Sequence, residues 1–348
     1  MKIKKVLIIR FSSFGDIVQC TSVVDRIRRE YPSAQVDWLT KSEFSNLLSL
    51  KNNINHIWSF DKKHKLKGLI KLAFKLKQEN YEFVYDAHNN VRSFVISLIL
   101  RSRLTNRPKW VTRPKDRLKR ILLFYFRCNL FPKPFRGISS YLIPIEKDLN
   151  LNLSTQNLQI NWSFNESSNF NVRDILFDEE SIVLVPSAAW EMKRWPVDHW
   201  KNLVILMPEK RFILLGGKED LFCEQIKLID PTRVVNLAGK LTLEESCYVI
   251  NKSNLVISAD TGLLHVADVL GKKALSLMGP TAFGFTTSPL IKTLAVDLKC
   301  RPCSKDGRGN CSQQVYQRCM VDITPQLVAN EARHWLRENS FSSPITNG

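Results

Sequence analysis

Val6-Leu7-Ile8-Ile9-Arg10-Phe11-Ser12-Ser13-Phe14-Gly15-Asp16 starts with four consecutive apolar residues and becomes polar within a few positions. A short apolar run bounded by turn residues reads as a strand buried on both faces, here Val6–Arg10. The stretch Asp16–Glu30 carries Val18, Val23 and Ile27 on one side and stops at Tyr31-Pro32, the pattern of a helix. Strand, tight turn and helix form the unit from which doubly wound α/β sheets are built. The alternation continues with strands at Val36–Thr40, Ile57–Phe60 and Phe83–Ala87. Helices are expected at Ser42–Leu50, Lys65–Glu79 and from about Val91. Such an order predicts a mostly parallel sheet covered on both faces.

Between Asn150 and Asn171 the pattern fades into Asn and Ser, and a domain boundary is expected near residues 165–180. The alternation then restarts. Strands are predicted at Ile182–Val185, Phe212–Leu215, Val234–Leu237, Leu255–Ser258 and Ala274–Met278. Helices are predicted at Val197–Met207, Glu219–Ile229, Leu243–Asn251, Thr261–Leu270 and Thr324–Glu338. Two tandem units of this kind are expected to bind ligands in a cleft, outside the carboxyl ends of their strands. The polar tail, Asn339 to Gly348, is expected to be disordered.

The bulk properties narrow the function. A chain of 348 residues with 44% hydrophobic residues suits two folded domains. Its longest apolar stretches, near Phe94–Leu100 and Ile121–Phe126, fall short of the roughly 20 residues a membrane span needs. The lysines and apolar run at the start lack a small-residue cleavage site and read as a strand, which places the protein in the cytoplasm. The net charge is +18 and unevenly spread: residues 101–136 hold twelve Lys and Arg against one acid, Asp116. Leu118, Ile121, Leu122, Tyr125 and Phe126 recur there at helical spacing. The stretch reads as a solvated basic face, or as one that meets an anionic membrane, an acidic substrate or nucleic acid. No nucleic-acid recognition motif accompanies it.

Several strand-end turns can carry chemistry. After the first strand, Gly15 permits a tight turn and Asp16 opens the helix. Asp16 reads either as a helix cap or as a general base. After Ile182–Val185 comes Pro186-Ser187-Ala188-Ala189-Trp190-Glu191-Met192-Lys193-Arg194-Trp195-Pro196. Ser187 and Lys193 there can reach a diphosphate, or the stretch is an ordinary exposed loop. In Ser258-Ala259-Asp260-Thr261-Gly262-Leu263-Leu264-His265 a strand passes directly into a helix whose first amides form a phosphate site. The other reading is that Asp260 caps this helix and His265 is a core residue. Glu219, after Gly216-Gly217, can accept from a ribose hydroxyl or simply favour the helix dipole. Neither GxxxxGK[ST] nor GxGxxG after the first strand occurs, which disfavours ATPase and hydride-transfer chemistry. Cys300, Cys303, Cys311 and Cys319 lie within twenty residues, but only the first pair has zinc spacing. They read as packing thiols, a local disulfide or a structural metal site.

Together these turns resemble glycosyltransferase family 9, the bacterial lipopolysaccharide heptosyltransferases. The resemblance is carried by Ile8–Asp16, Lys193-Arg194-Trp195-Pro196, Asp260–His265 and Met278-Gly279-Pro280-Thr281, in that order, and by the stretch ending Cys319-Met320. It implies a GT-B fold, α/β with two Rossmann-like doubly wound domains facing across a cleft. Residues 1–170 would take the acceptor and 171–323 the nucleotide sugar, with the helix of 324–348 packing back on the N-terminal domain. It implies inverting, metal-independent transfer of heptose from ADP-L-glycero-D-manno-heptose to the lipopolysaccharide inner core, without a cofactor. By position, Asp16 resembles the general base. Ser187, Lys193, Glu219, Asp260, Thr261, Gly262 and His265 resemble the donor pocket. Ser13, Lys62, Lys63, Arg113 and Arg120 are candidates for holding the anionic acceptor. The expected partners are the ADP-sugar, the lipopolysaccharide core and the cytoplasmic face of the inner membrane, and not nucleic acid. A relative using another nucleotide sugar and a basic nucleic-acid-binding protein are the alternatives.

Overall fold

The computed structural model describes residues 3–103, 105–151, 162–164, 172 and 181–337. The chain divides into two compact units, Met1–Ile121 with Gly137–Ser167, and Leu122–Arg136 with Ser168–Gly348. The expected boundary near 165–180 falls almost wholly outside the described residues, as does the tail Asn339 to Gly348.

The first unit runs β1 (Lys5–Ile9), α1 (Phe14–Cys20), α2 (Ser22–Glu30), β2 (Gln35–Lys41), α3 (Ser45–Ser49), β3 (His56–Phe60), α4 (Lys65–Gln78), β4 (Phe83–Asp86), α5 (Val91–Arg101) and β5 (Lys109–Thr112). α6 (Arg117–Phe126) begins in it, and α7 (Gly137–Asp148) completes it. Its five strands are parallel, in the order β3-β2-β1-β4-β5. The central position of β1 explains its unbroken apolar run, because Val6–Ile9 are buried from both faces. α4 and α5 press Leu69, Ala73, Leu76, Ile96 and Leu100 onto Leu7, Ile9 and Val84 of the sheet.

The second unit runs β6 (Ser181–Val185), α8 (Val197–Leu206), β7 (Arg211–Leu214), α9 (Phe222–Lys227), β8 (Val234–Asn236), α10 (Leu243–Lys252), β9 (Leu255–Ala259), α11 (Gly262–Val269), β10 (Ala274–Leu277), β11 (Ile291–Leu294), α12 (Arg318–Val321) and α13 (Pro325–Arg337). Its six parallel strands lie in the order β11-β10-β9-β6-β7-β8. β6, β9 and β10 are buried throughout. The fold class is the one expected, a parallel-sheet α/β unit repeated.

The structure departs from the expected elements at several points. The helix of 16–30 is two helices meeting at Thr21. There the Thr21 and Ser22 hydroxyls donate to the carbonyls of Val18 and Gln19, 2.6 Å in each case, and compete with the helix ladder. β5 and β11 escape the periodicity because each is short and each buries only part of its length. The final helix, α13, packs on α8 in the second unit. Val328, Ala329 and Ala332 enter the second unit's core, and Arg333 pairs with Glu209 at 2.9 Å. Trp195 Nε1 also donates to the Ile323 carbonyl at 2.8 Å, tying the approach to α13 into that core.

Candidate functional site

In the first unit the chain leaves β1 at Arg10, turns through Phe11–Ser13 and starts α1 with Ser13 as the cap. Asp16 lies in the first helical turn. Its carboxylate accepts from the Ser13 N–H at 3.3 Å, so the capping reading is partly right. It also accepts from the Ser13 hydroxyl at 2.7 Å and pairs with the Arg10 guanidinium at 2.6 Å. The other carboxylate oxygen accepts from the Tyr141 hydroxyl at 2.7 Å. Arg10 is fixed in turn by donating to the Ala87 carbonyl at 2.7 Å. Burial alone would raise the Asp16 pKa. Arg10 first, then the Ser13 and Tyr141 hydrogen bonds and Arg113, outweigh it and hold the carboxyl well below the ordinary range. The result is a carboxylate that stays ionised and whose side chain is still 37% exposed.

Arg113 stacks on the Tyr141 ring, 3.9 Å from its centroid, and donates to the Ser140 hydroxyl at 2.7 Å. Arg120 belongs to the same field, since Arg113, Asp116, Asp16 and Tyr141 all act on it. The structure therefore brings Ser13, Asp16, Arg113 and Arg120 together. Lys62 and Lys63 lie exposed on a 3-10 turn after β3, where Lys62 faces Glu43 at 3.5 Å rather than this cluster. Arg10 and Tyr141 also contact Asp16, and neither is among the candidate residues the sequence names. Arg10 left a trace, a charge directly after a buried strand. Tyr141 left none, lying 125 positions from Asp16.

In the second unit β9 ends at Ala259 and α11 begins at Gly262, capped by Thr261 rather than Asp260. The Thr261 hydroxyl accepts from the Leu264 N–H. The amides of Gly262 and Leu263 have no acceptor within the helix, as at any helix start, and carry the positive end of its dipole. Asp260 is thereby free for other contacts. It pairs with Lys193 at 3.0 Å, accepts from the Thr281 hydroxyl at 2.8 Å and lies 3.8 Å from His265 Nε2. Burial works to raise its pKa. Lys193, His265 and Thr281 overcome that and lower it.

Two glycines make room for this arrangement. A Cβ on Gly284 would fall 2.2 Å from Asp260 Cγ, and one on Gly307 would fall 2.6 Å from Lys193 Cγ. Gly307 also has φ +92°, a conformation that favours glycine. Next to them Arg308 stacks on Trp190, 4.5 Å from the ring centroid.

Ser187 is engaged by Asp220, a residue the motifs did not single out. Asp220 accepts from the Ser187 hydroxyl and from the Gly217 N–H at 2.7 Å, and pairs with Arg194 at 3.5 Å. Glu219 is exposed beside it. Asp220 also shortens the predicted helix, because its side chain bonds back to Gly217 and α9 starts only at Phe222. Cys300, Cys303, Cys311 and Cys319 are all free thiols. No group of three or more His, Cys, Asp or Glu suited to a metal occurs among the described residues.

The profile of glycosyltransferase family 9 (heptosyltransferase) matches residues 69–317. The lipooligosaccharide heptosyltransferase 2 of Haemophilus ducreyi is 24% identical, over 95% of this chain and 99% of that protein. The solved ADP-heptose lipopolysaccharide heptosyltransferase II of E. coli is 21% identical with a TM-score of 0.73, covering 97% of this chain and 99% of that one. An E. coli heptosyltransferase solved with ADP gives a TM-score of 0.67 at 18% identity, covering 95% and 99%. These likenesses show the fold, two Rossmann-like parallel-sheet units of the GT-B class.

Proposed function

The chain belongs to glycosyltransferase family 9 and is a glycosyltransferase, and from that premise we propose that it moves heptose from ADP-L-glycero-D-manno-heptose to the lipopolysaccharide inner core, at Kdo or the first heptose. The relatives named above, whose own names carry heptosyl transfer, support the donor and acceptor classes. One observation carries the mechanism: Asp16 is a partly open carboxylate in the first turn of α1, paired with Arg10 and hydrogen-bonded by Ser13 and Tyr141.

In this reading Asp16 takes the proton of the acceptor hydroxyl. That oxygen bonds to the anomeric carbon as the bond from that carbon to the diphosphate oxygen breaks, and ADP leaves with the electron pair. Attack opposite the leaving group inverts the centre through an oxocarbenium-like state. Lys193 and the first amides of α11 meet the charge growing on the diphosphate, so the step needs no metal ion. Asp260 keeps the Lys193 ammonium in place until the donor arrives. Ser187 is the second phosphate contact, and Asp220 orients its hydroxyl. Ser13, Arg113 and Arg120 hold the acidic acceptor, and the enzyme works at the cytoplasmic face of the inner membrane.

Thermal-shift titration with ADP, UDP and GDP, followed by transfer assays with ADP-heptose and other nucleotide sugars, tests the reading. Selective stabilisation by ADP and turnover of ADP-heptose are expected. Turnover of a different nucleotide sugar with none of ADP-heptose would overturn it.

A further inference from the structure

α4 and α5 pack side by side over one face of the first sheet, and their outward surface is unusually apolar. On α4, Leu66, Ile70 and Phe74 recur every fourth residue and are all exposed. On α5, Val91, Phe94 and Leu98 form a second row, each more than half exposed. Residues at such spacings share one helix face, so each helix shows a stripe rather than scattered side chains. Lys67, Lys71 and Lys75 follow the three α4 residues by one position each and are also exposed, so a cationic row runs beside the apolar one, about 100° round the helix. Neither helix contains an acidic residue, while Lys65, Lys77, Arg92 and Arg101 add further positive charge.

We infer that the α4–α5 surface docks on an anionic phospholipid bilayer, the apolar stripes entering the headgroup boundary and the lysines meeting lipid phosphates. Apolar stripes beside a one-sign cationic row are the surface chemistry of an interfacial helix. Lysine stems can lie along the boundary while their ammonium groups reach the phosphates. No helix among the described residues is long and apolar enough to cross a membrane, so attachment by these helices is lateral. Of the basic residues on α6, Arg120 instead interacts with Asp16, Arg113 and Tyr141. The inference rests on the proposed lipid-anchored acceptor for its purpose, though not for its geometry.

The full chain is to be floated with vesicles of phosphatidylglycerol and phosphatidylethanolamine, and with vesicles of phosphatidylcholine alone. Binding to the anionic vesicles only is expected. The triple variant Leu66→Ser, Phe74→Ser, Phe94→Ser should lose it by about a hundredfold. Lys67→Glu, Lys71→Glu, Lys75→Glu should lose it by about tenfold or more. Phe94→Trp should report entry into the apolar boundary by a blue-shifted emission on vesicle addition. Both triple variants should retain transfer to a soluble, delipidated acceptor, so loss of docking is separable from failure of the transferase reading. Equal binding to phosphatidylcholine vesicles would overturn the inference. So would binding retained by both triple variants, or binding lost instead by Leu118→Ser with Tyr125→Ser on α6. Self-association abolished by the serine substitutions, with no vesicle binding in the parent chain, would assign the surface to a second copy and overturn it as well.

Discussion

Asp16 and Asp260 begin from the same local plan and end in different states. Each follows a central parallel strand, lies at or next to the start of a helix, pairs with a cation and accepts from a hydroxyl. Asp16 is paired with an arginine six residues earlier, itself pinned to the Ala87 carbonyl, and its side chain remains 37% exposed. Asp260 is paired with a lysine from another strand-end turn and is only 12% exposed. A pinned guanidinium fixes the charge on Asp16 without covering it. A flexible ammonium closes over Asp260, and in the proposed function it is the group that meets the donor diphosphate. Under the proposed function, the first carboxylate is the group that acts and the second holds one that acts.

The sharpest way to break that contrast is to neutralise each carboxylate in turn. Asp16→Asn should lower kcat by roughly a thousandfold, within the range general-base catalysis supplies, while leaving ADP binding unchanged in calorimetry. Asp260→Asn should act the other way round. It leaves the Thr281 contact possible but strips Lys193 of its partner in a mostly buried setting, so unfolding should become easier by about 2 kcal/mol. The donor KM should also change with it. If Asp260→Asn cost as much in kcat as Asp16→Asn with no change in KM or stability, the two sites would not differ as described.

The sequence carried the plan of these sites better than their partners. Strand, turn and helix were readable because a buried parallel strand must be continuously apolar and the turn after it cannot be. Asp16, Asp260 and Lys193 stood in those turns and could be singled out. Tyr141 could not, because its contact with Asp16 spans 125 positions and nothing near residue 141 distinguishes a site tyrosine from a core one. The engagement of Asp220 with Ser187 has a local cause that no motif marked. Adjacent acids differ in side-chain length, and only the shorter one folds back onto the Gly217 N–H and reaches Ser187. For the final helix, an amphipathic stripe states that a helix packs, not on which unit.

A subtler test removes the pin rather than the carboxylate. Arg10 is the largest influence opposing the burial of Asp16, so Arg10→Gln should let the carboxyl climb back toward, or past, the ordinary range. An acid limb should then enter the kcat/KM profile, activity falling as Asp16 takes up a proton, whereas the parent enzyme should show no such limb from Asp16. A profile that does not move would mean that Arg10 does not set the charge of the base.

The smallest expected effect concerns His88, the histidine beside the pinned pair. Its ring meets Phe11 edge-on at 5.4 Å. Burial, then Arg10 and Lys115, push its pKa down to about 4, with Asp16 opposing only weakly. The sign follows from which state binds the proton first. The unfolded histidine protonates near the ordinary 6.5, the folded one only near 4, so acid favours the unfolded chain. The stability owed to a neutral His88 is therefore complete above about pH 6.5 and lost as the pH falls through about 4. His88→Asn should flatten the decline in unfolding free energy between about pH 7 and about pH 5 by roughly 1 kcal/mol, a figure reduced for the partial exposure of the ring. Denaturant melts at the two pH values measure it. An unchanged slope would mean that the cations gathered for Asp16 do not reach His88, and that the positive field of this site is more local than the neighbouring arginines imply.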